Sequence, residues 1–330
     1  MGAQWSQFFP PKPTFTESSV PCLEGKVFFI TGGASGIGYE LAKMLYRKRG
    51  RVYMAGRSES KVLKAIAEIT KQNGGEGGSI EFLHLELDDL ASIKASAEAF
   101  MAKESKLHVL WNNAGVSRPP AGSVSKQGIE LQLATNCLGP FLFMQFLLPV
   151  LQYQQASSTP SEEPPSRVIW TASQAMELSA PKGGLEMSEV RSTVTNSRAA
   201  DTTRLYVNSK TGNLFLAIEL ARRCPGTLVS VSLNPGAATT DLFRHTPSVR
   251  YLAWPLLHRP EHAALTELYA GLSPDVNLDA TNGCYIVPWG AISTRLRLDL
   301  VAATRSREEG GTGRAQEFWD FCVEMTKDYQ

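Results

Sequence analysis

The stretch Thr31-Gly32-Gly33-Ala34-Ser35-Gly36-Ile37-Gly38 follows the apolar run Val27-Phe28-Phe29-Ile30 and leads straight into Tyr39-Glu40-Leu41-Ala42-Lys43-Met44-Leu45. A strand is thus joined to a helix through a turn nearly bare of side chains. Gly32, Gly36 and Gly38 permit positive φ and let a ligand approach the backbone, while the free N–H groups and dipole of the helix N-terminus attract an anion such as a pyrophosphate. The spacing is Gly-x-x-x-Gly-x-Gly, not the commoner Gly-x-Gly-x-x-Gly. A tight turn without a ligand would use the same residues, so the rest of the chain has to decide.

Downstream, Arg51–Ala55, Ile80–Leu85, His108–Trp111, Arg167–Thr171 and Leu228–Leu233 read as further strands. Helical patterns alternate with them: Lys61–Lys71, Ser92–Glu104, Gly128–Leu151 and Arg204–Arg222. Alternation of this kind predicts a doubly wound parallel sheet between helical layers, a Rossmann-like α/β/α sandwich in one domain. The domain spans residues 25–290, with extensions at 1–24 and 291–330, the latter ending in a helix. Ligands of such sheets gather beyond the carboxyl ends of the strands. Gly32, Asn113, Ser173 and Pro235 each lie just past one.

Composition narrows the partners. The 330 residues carry a net charge of +1 with no dense basic run, which points away from nucleic acid and toward small molecules. The five cysteines are scattered without a Cys-x-x-Cys pair, which argues against zinc and against a disulfide framework and fits the cytoplasm. No signal-peptide pattern opens the chain. Gly2 and Ser6 match the short Met-Gly-x-x-x-Ser acylation pattern, which also arises by chance. Trp5, Phe8 and Phe9, stiffened by Pro10, Pro11 and Pro13, are expected across the outside of the domain. Leu138–Leu151 is the longest apolar stretch, but it is short of the ~20 residues of a membrane span and reads as a buried helix.

Tyr206 and Lys210 stand four apart on the last long helix and so share a face. Bringing a phenol from a pKa near ~10 to neutrality takes roughly 4 kcal/mol, about what one cation ~4 Å away supplies at an effective dielectric near 20. Lys210 could supply it.

Taken together, Thr31-Gly32-x-x-x-Gly36-x-Gly38, Asn112-Asn113-Ala114-Gly115, Asn136, Ser173, Tyr206-x-x-x-Lys210 and Pro235-Gly236-x-x-x-Thr240 make the chain resemble the short-chain dehydrogenase/reductase family over residues 25 to about 290. The flanks, with Phe9-Pro10-Pro11-Lys12-Pro13 and Glu309-Gly310-Gly311-Thr312-Gly313, resemble a fungal branch associated with secondary metabolism. The resemblance implies a catalytic tetrad. Tyr206 is its acid/base, Lys210 lowers the phenol pKa and binds the nicotinamide ribose, Ser173 orients the substrate oxygen, and Asn136 holds a relay water. It places Gly32, Ser35, Gly36, Ile37, Gly38, Glu86, Leu87, Asn113, Ala114, Gly115, Pro235, Gly236, Ala238 and Thr240 around the dinucleotide. A homodimer is compatible with it.

Cofactor choice is read after the second strand, at Ala55-Gly56-Arg57-Ser58, where an acid for the adenosine ribose is missing. Arg57 can fork onto a 2′-phosphate, Ser58 can add a hydrogen bond and Lys61 a charge, so NADP(H) is favoured over NAD(H). Leu85-Glu86-Leu87 departs from the family's Leu-Asp-Leu and leaves either Glu86 or Asp88 to meet the adenine. Residues 174–203 and 243–259 are expected to form the substrate rim, the first mobile and short of apolar material, the second carrying Tyr251, Trp254, Leu256 and Leu257. The expected activity is that of a ketone reductase or alcohol dehydrogenase for an apolar small molecule. An isomerase or cyclase, or a nucleotide sensor without turnover, is the competing option.

Overall fold

The computed structural model describes residues 6–153, 163–195, 201–243, 245, 251 and 254–330. Gly2, Trp5 and, of the two expected rims, residues 196–200, 244, 246–250 and 252–253 lie outside these residues. Among the described residues the elements are β1 Val27–Thr31, α1 Gly36–Arg47, β2 Arg51–Gly56, α2 Glu59–Gln72, β3 Ser79–His84, α3 Leu90–Met101 and β4 Val109–Asn112. They continue with α4 Leu131–Leu151, β5 Ser166–Thr171, α5 Ala175–Ser179, α6 Met187–Thr195, α7 Thr202–Arg223, β6 Leu228–Leu233 and α8 Pro260–Leu272. β7 Tyr285–Val287, β8 Ala291–Ile292, α9 Leu298–Thr304 and α10 Arg314–Thr326 complete the chain. The eight strands form one sheet in the order β3-β2-β1-β4-β5-β6-β7-β8, parallel except for the β7–β8 pair.

Period-two alternation sorts the strand residues onto two buried faces. Phe28, Ile30, Val52, Met54, Val109, Trp111 and Ile169 pack beneath α1, α2 and α8. Val27, Phe29, Tyr53, Leu110, Val168 and Trp170 pack against α3, α4, α7 and α10. Phe29 sits edge-on to Phe100 at 5.2 Å between ring centres, a geometry that adds about 0.5–1.5 kcal/mol to simple burial. The helix Leu131–Leu151 is long and apolar enough to cross a membrane, yet 78% of its apolar window is buried in the fold, as expected of a core helix.

Two peripheral segments are more deeply built in than sequence suggested. At the N-terminus, Gln7 is buried, donating from Nε2 to Glu177 Oε1 at 2.8 Å and accepting from Asn234 Nδ2 at 2.9 Å. The opening segment therefore does not merely lie across the outside. It bridges α5, which follows β5, and the loop that follows β6. At the other end, Phe318 packs against Gly212 and Phe215 of α7, and Trp319 sits edge-on to Phe141 of α4. The C-terminal extension thus closes the core behind α7.

The interval after Ser173 also differs from expectation. Leu185, Met187 and Val190 are buried. Arg297 donates to the carbonyls of Met176, Glu177, Ala180 and Pro181, and Arg314 pairs with Glu186. These residues are apolar enough to dock because the C-terminal extension supplies their partner surface, which the local pattern could not show.

Candidate active site

The turn after β1 lies where the strand order reverses between β1 and β4, the switch point at which α/β sheets bind ligands. Gly32 and Gly36 adopt φ of +72° and +59°. A Cβ on Gly32 would stand 3.0 Å from Ala114 Cα, and one on Gly36 would stand 3.0 Å from Thr240 Cγ2. The turn is locked to the end of β4, since Asn113 Nδ2 donates to Thr31 O at 2.8 Å and the Ala114 amide to Thr31 Oγ1 at 2.9 Å. Gly32 and Gly36, at the mouth of a cleft, are therefore both held to glycine by backbone angle and by close packing.

From that mouth a cleft of about 840 Å³ runs across the ends of β1, β4, β5 and β6. Gly32, Ser35, Gly36, Ile37, Arg57, Glu86, Leu87, Asn113, Ala114 and Gly115 line it from the first half of the chain, and Ser173, Tyr206, Lys210, Pro235, Gly236, Ala238 and Thr240 from the second. Glu86 and Asp88 both face it. Four expected residues do not line it: Gly38, Ser58, Lys61 and Asn136. Gly38 is needed for packing, because a Cβ there would meet Gly32 O at 2.6 Å. Ser58 flanks the start of α2, and Lys61 is exposed on that helix.

Asn136 sits in a π-helical turn, Ala134–Leu138, within α4. Its Oδ1 accepts from the Val116 amide at 2.8 Å, and its Nδ2 donates to Val116 O at 3.0 Å and Ser209 Oγ at 2.9 Å. The side chain is spent on tying the loop after β4 to α7.

Tyr206, Lys210 and Asn213 lie on one face of α7, turned to the end of β5. Lys210 Nζ donates to Thr171 O at 2.7 Å, and Asn213 Nδ2 donates to the same carbonyl at 2.9 Å. Thr171 Oγ1 in turn donates to Glu267 Oε1 at 2.8 Å. Burial pushes the Lys210 ammonium down to about 8, with Cys137 and Glu267 acting the other way. Burial also raises the Tyr206 phenol above its ordinary value, while the Ser173 hydroxyl and the Arg118 guanidinium favour the phenolate. The Lys210 ammonium is drawn to the Thr171 carbonyl, with Nζ 5.9 Å from the centre of the Tyr206 ring.

Three contributors were not legible in the sequence. Phe8 lines the cleft from the N-terminal segment. Arg118 lines it three residues after Gly115, and only its charge so close to the Asn-Asn-Ala-Gly motif could have flagged it. Glu267 carried no local signal at all. It is fully buried on α8, which Trp111 anchors by donating from Nε1 to Glu267 O at 2.9 Å. By contrast, Tyr251 and Trp254 of the expected second rim are exposed and do not line the cleft.

The family profile described as short chain dehydrogenase matches residues 26–185. A short-chain dehydrogenase/reductase of Pestalotiopsis fici, iacJ, is 42% identical over 335 residues, covering 98% of each chain. One from Phomopsis amygdali is 41% identical, covering 98% of this chain and 96% of its own. Among solved structures, an uncharacterised protein from Mycobacterium paratuberculosis superimposes with a TM-score of 0.68 at 25% identity, over 95% of this chain and 97% of that one. The Pseudomonas aeruginosa RhlG/NADP complex shares the fold, with a TM-score of 0.61 at 23% identity over 80% and 94% of the two chains. The chain belongs to the short-chain dehydrogenase/reductase family. It is an NAD(P)-dependent oxidoreductase that binds the dinucleotide and a small-molecule substrate.

Burial pushes Glu267 up to about 7, with Thr171 and Lys210 opposing. An unfolded carboxyl titrates near about 4.3, so the folded chain holds the extra proton, and stability is lost as pH rises from there through about 7. Glu267→Gln keeps the bond from Thr171 and never ionises. Its melting temperature relative to wild type should climb between pH 4.5 and pH 8 by about 4 °C. Paired thermal melts across that range check this, and a difference independent of pH would refute the buried titration.

Proposed function

We propose that the enzyme reduces a ketone on a largely apolar small molecule with NADPH, and oxidises the corresponding alcohol in reverse. The observation that carries this reading is the meeting of Ser173, Tyr206 and Lys210 in one cleft whose glycine-cleared mouth lies at Gly32 and Gly36. When bound, the nicotinamide cofactor supplies or accepts the hydride. Tyr206 gives its proton to the carbonyl oxygen, and the Ser173 hydroxyl holds that oxygen as charge develops on it. Lys210, fixed by Thr171, is placed to hold the nicotinamide ribose. Leu131, Leu178 and Leu242 give the cleft an apolar wall and support a substrate of the kind found in fungal secondary metabolism. We place the enzyme in the cytoplasm, a location compatible with the five unpaired thiols.

Arg57 supports the preference for NADPH. It lines the cleft and pairs with Asp88 only at 3.5 Å on an exposed side chain. Such surface pairs are worth about 0–1 kcal/mol, whereas a charge-assisted bond to a phosphate contributes about 1.5–3 kcal/mol, so a 2′-phosphate wins the guanidinium.

Tyr206→Phe should abolish turnover in both directions and leave dinucleotide binding within a few-fold of wild type, because only a hydroxyl is removed. Single-turnover ketone reduction alongside cofactor titration measures both. Retained activity would remove Tyr206 from the acid role.

Arg57→Ala should cut the advantage of NADPH over NADH by roughly ten- to hundredfold. Titrating both dinucleotides into wild type and variant decides it, and a wild type that binds NADH as tightly as NADPH would reverse the cofactor assignment.

A further inference from the structure

We propose that the substrate bears a carboxylate, which Arg118 binds within the cleft that Tyr206 and Ser173 also line. This rests on the oxidoreductase reading above and adds the chemical class of the substrate: an apolar body with an acidic end.

The loop after β4 is zipped onto the first turns of α4. Asn136 takes both the amide and the carbonyl of Val116, and Gln132 Oε1 accepts from the Arg118 amide at 2.8 Å. Between these anchors the chain leaves polar groups with nothing to bind. Ser117 Oγ, Arg118 Nε and Thr135 Oγ1 are shielded from solvent and have no hydrogen-bond partner among the described residues. Ser117 is 3% exposed and Thr135 9%, and all three residues line the cleft. Unpaired buried polar atoms cost about 1–3 kcal/mol each, so a cluster of them at a cavity wall calls for a ligand that satisfies them.

Charge selects the ligand. No carboxylate pairs with Arg118 among the described residues, although most other arginines in the fold have one. An unneutralised guanidinium facing a confined cavity attracts an anion, and its planar fork matches a carboxylate. Its backbone is held at φ +47°, a region that costs a residue with a side chain about 1–3 kcal/mol and persists where surrounding structure enforces it. Arg118 and Tyr206 line the same cleft, and the guanidinium charge favours the phenolate. A carboxylate bound there would neutralise Arg118 and keep the phenol protonated, the state needed to donate during reduction.

The test uses 2-, 3- and 4-acetylbenzoate against their methyl esters with the full chain, and separately the binding of benzoate and benzamide to the enzyme saturated with the tighter-binding dinucleotide. For the best isomer the acid should exceed its ester at least tenfold in kcat/KM, and benzoate should bind at least tenfold more tightly than benzamide. Arg118→Met should reduce both ratios at least tenfold, and Arg118→Lys should keep part of each. Melting temperatures of the two variants control for folding. Equal treatment of acid and ester by wild type, or a preference that survives in Arg118→Met, would overturn the proposal. So would an equal loss for acid and ester with the alkaline limb of the pH profile displaced, which would mean that Arg118 acts on Tyr206 alone. If none of the six ketones is reduced, the oxidoreductase reading is what fails for these compounds, and the benzoate and benzamide titrations decide the proposal by themselves.

Discussion

Two donors from one helix converge on the carbonyl of Thr171. Lys210 and Asn213 reach it from α7, while the hydroxyl of the same threonine ties it to Glu267 on α8. The last residue of β5 therefore joins the helices on opposite faces of the sheet at the point where the cleft opens. Ser173 lies two residues beyond that junction, and Tyr206 lies one helical turn before Lys210. The positions of all three reacting side chains follow from this contact. α10 reinforces it from behind, with Phe318 seated against Gly212 so that α7 is held along its length.

The cleft separates two kinds of electrostatic task. At the end near β2, Arg57 is exposed and weakly paired, as suits a group that must let go of Asp88 to meet a phosphate. At the inner end the charges are enclosed. Lys210 is destabilised as an ammonium by burial and steadied by a carbonyl, and Glu267 is held toward its neutral form. Low dielectric around these groups makes each neighbour count for more than it would in water. That is why the identity of the cation beside Tyr206 matters to the chemistry.

Local signals carried the architecture a long way. The six apolar runs read as strands are strands: β1, β4, β5 and β6 are buried along their whole length and β2 along most of its own, while β3, at the sheet edge, is only partly buried. Gly32 and Gly36 are legible because positive φ and a cleared mouth restrict those positions to glycine. β7 and β8, at three and two residues, are too short to show a period. Gln7 is a polar residue whose partners lie 170 and 227 positions away, and nothing near it in sequence announces that burial. A spacing of four residues puts Tyr206 and Lys210 on a shared face but does not fix the direction of a flexible ammonium, which the fold turns to the Thr171 carbonyl. Arg118 and Glu267 escaped for the same reason: their importance comes from loops and helices brought together only in the fold.

In the mechanism proposed, a hydride passes to a carbonyl carbon in this cleft while the protein supplies the proton. Single-turnover reduction of acetophenone with dinucleotide deuterated at the transferring C4 position, followed by mass spectrometry of the alcohol, tests it most directly. One deuterium is expected on the carbinol carbon from labelled cofactor, and none on that carbon when unlabelled cofactor is used in D2O. An alcohol that carries protium at that carbon from labelled cofactor, or acquires its deuterium from solvent, would contradict hydride transfer and with it the assignment of the site.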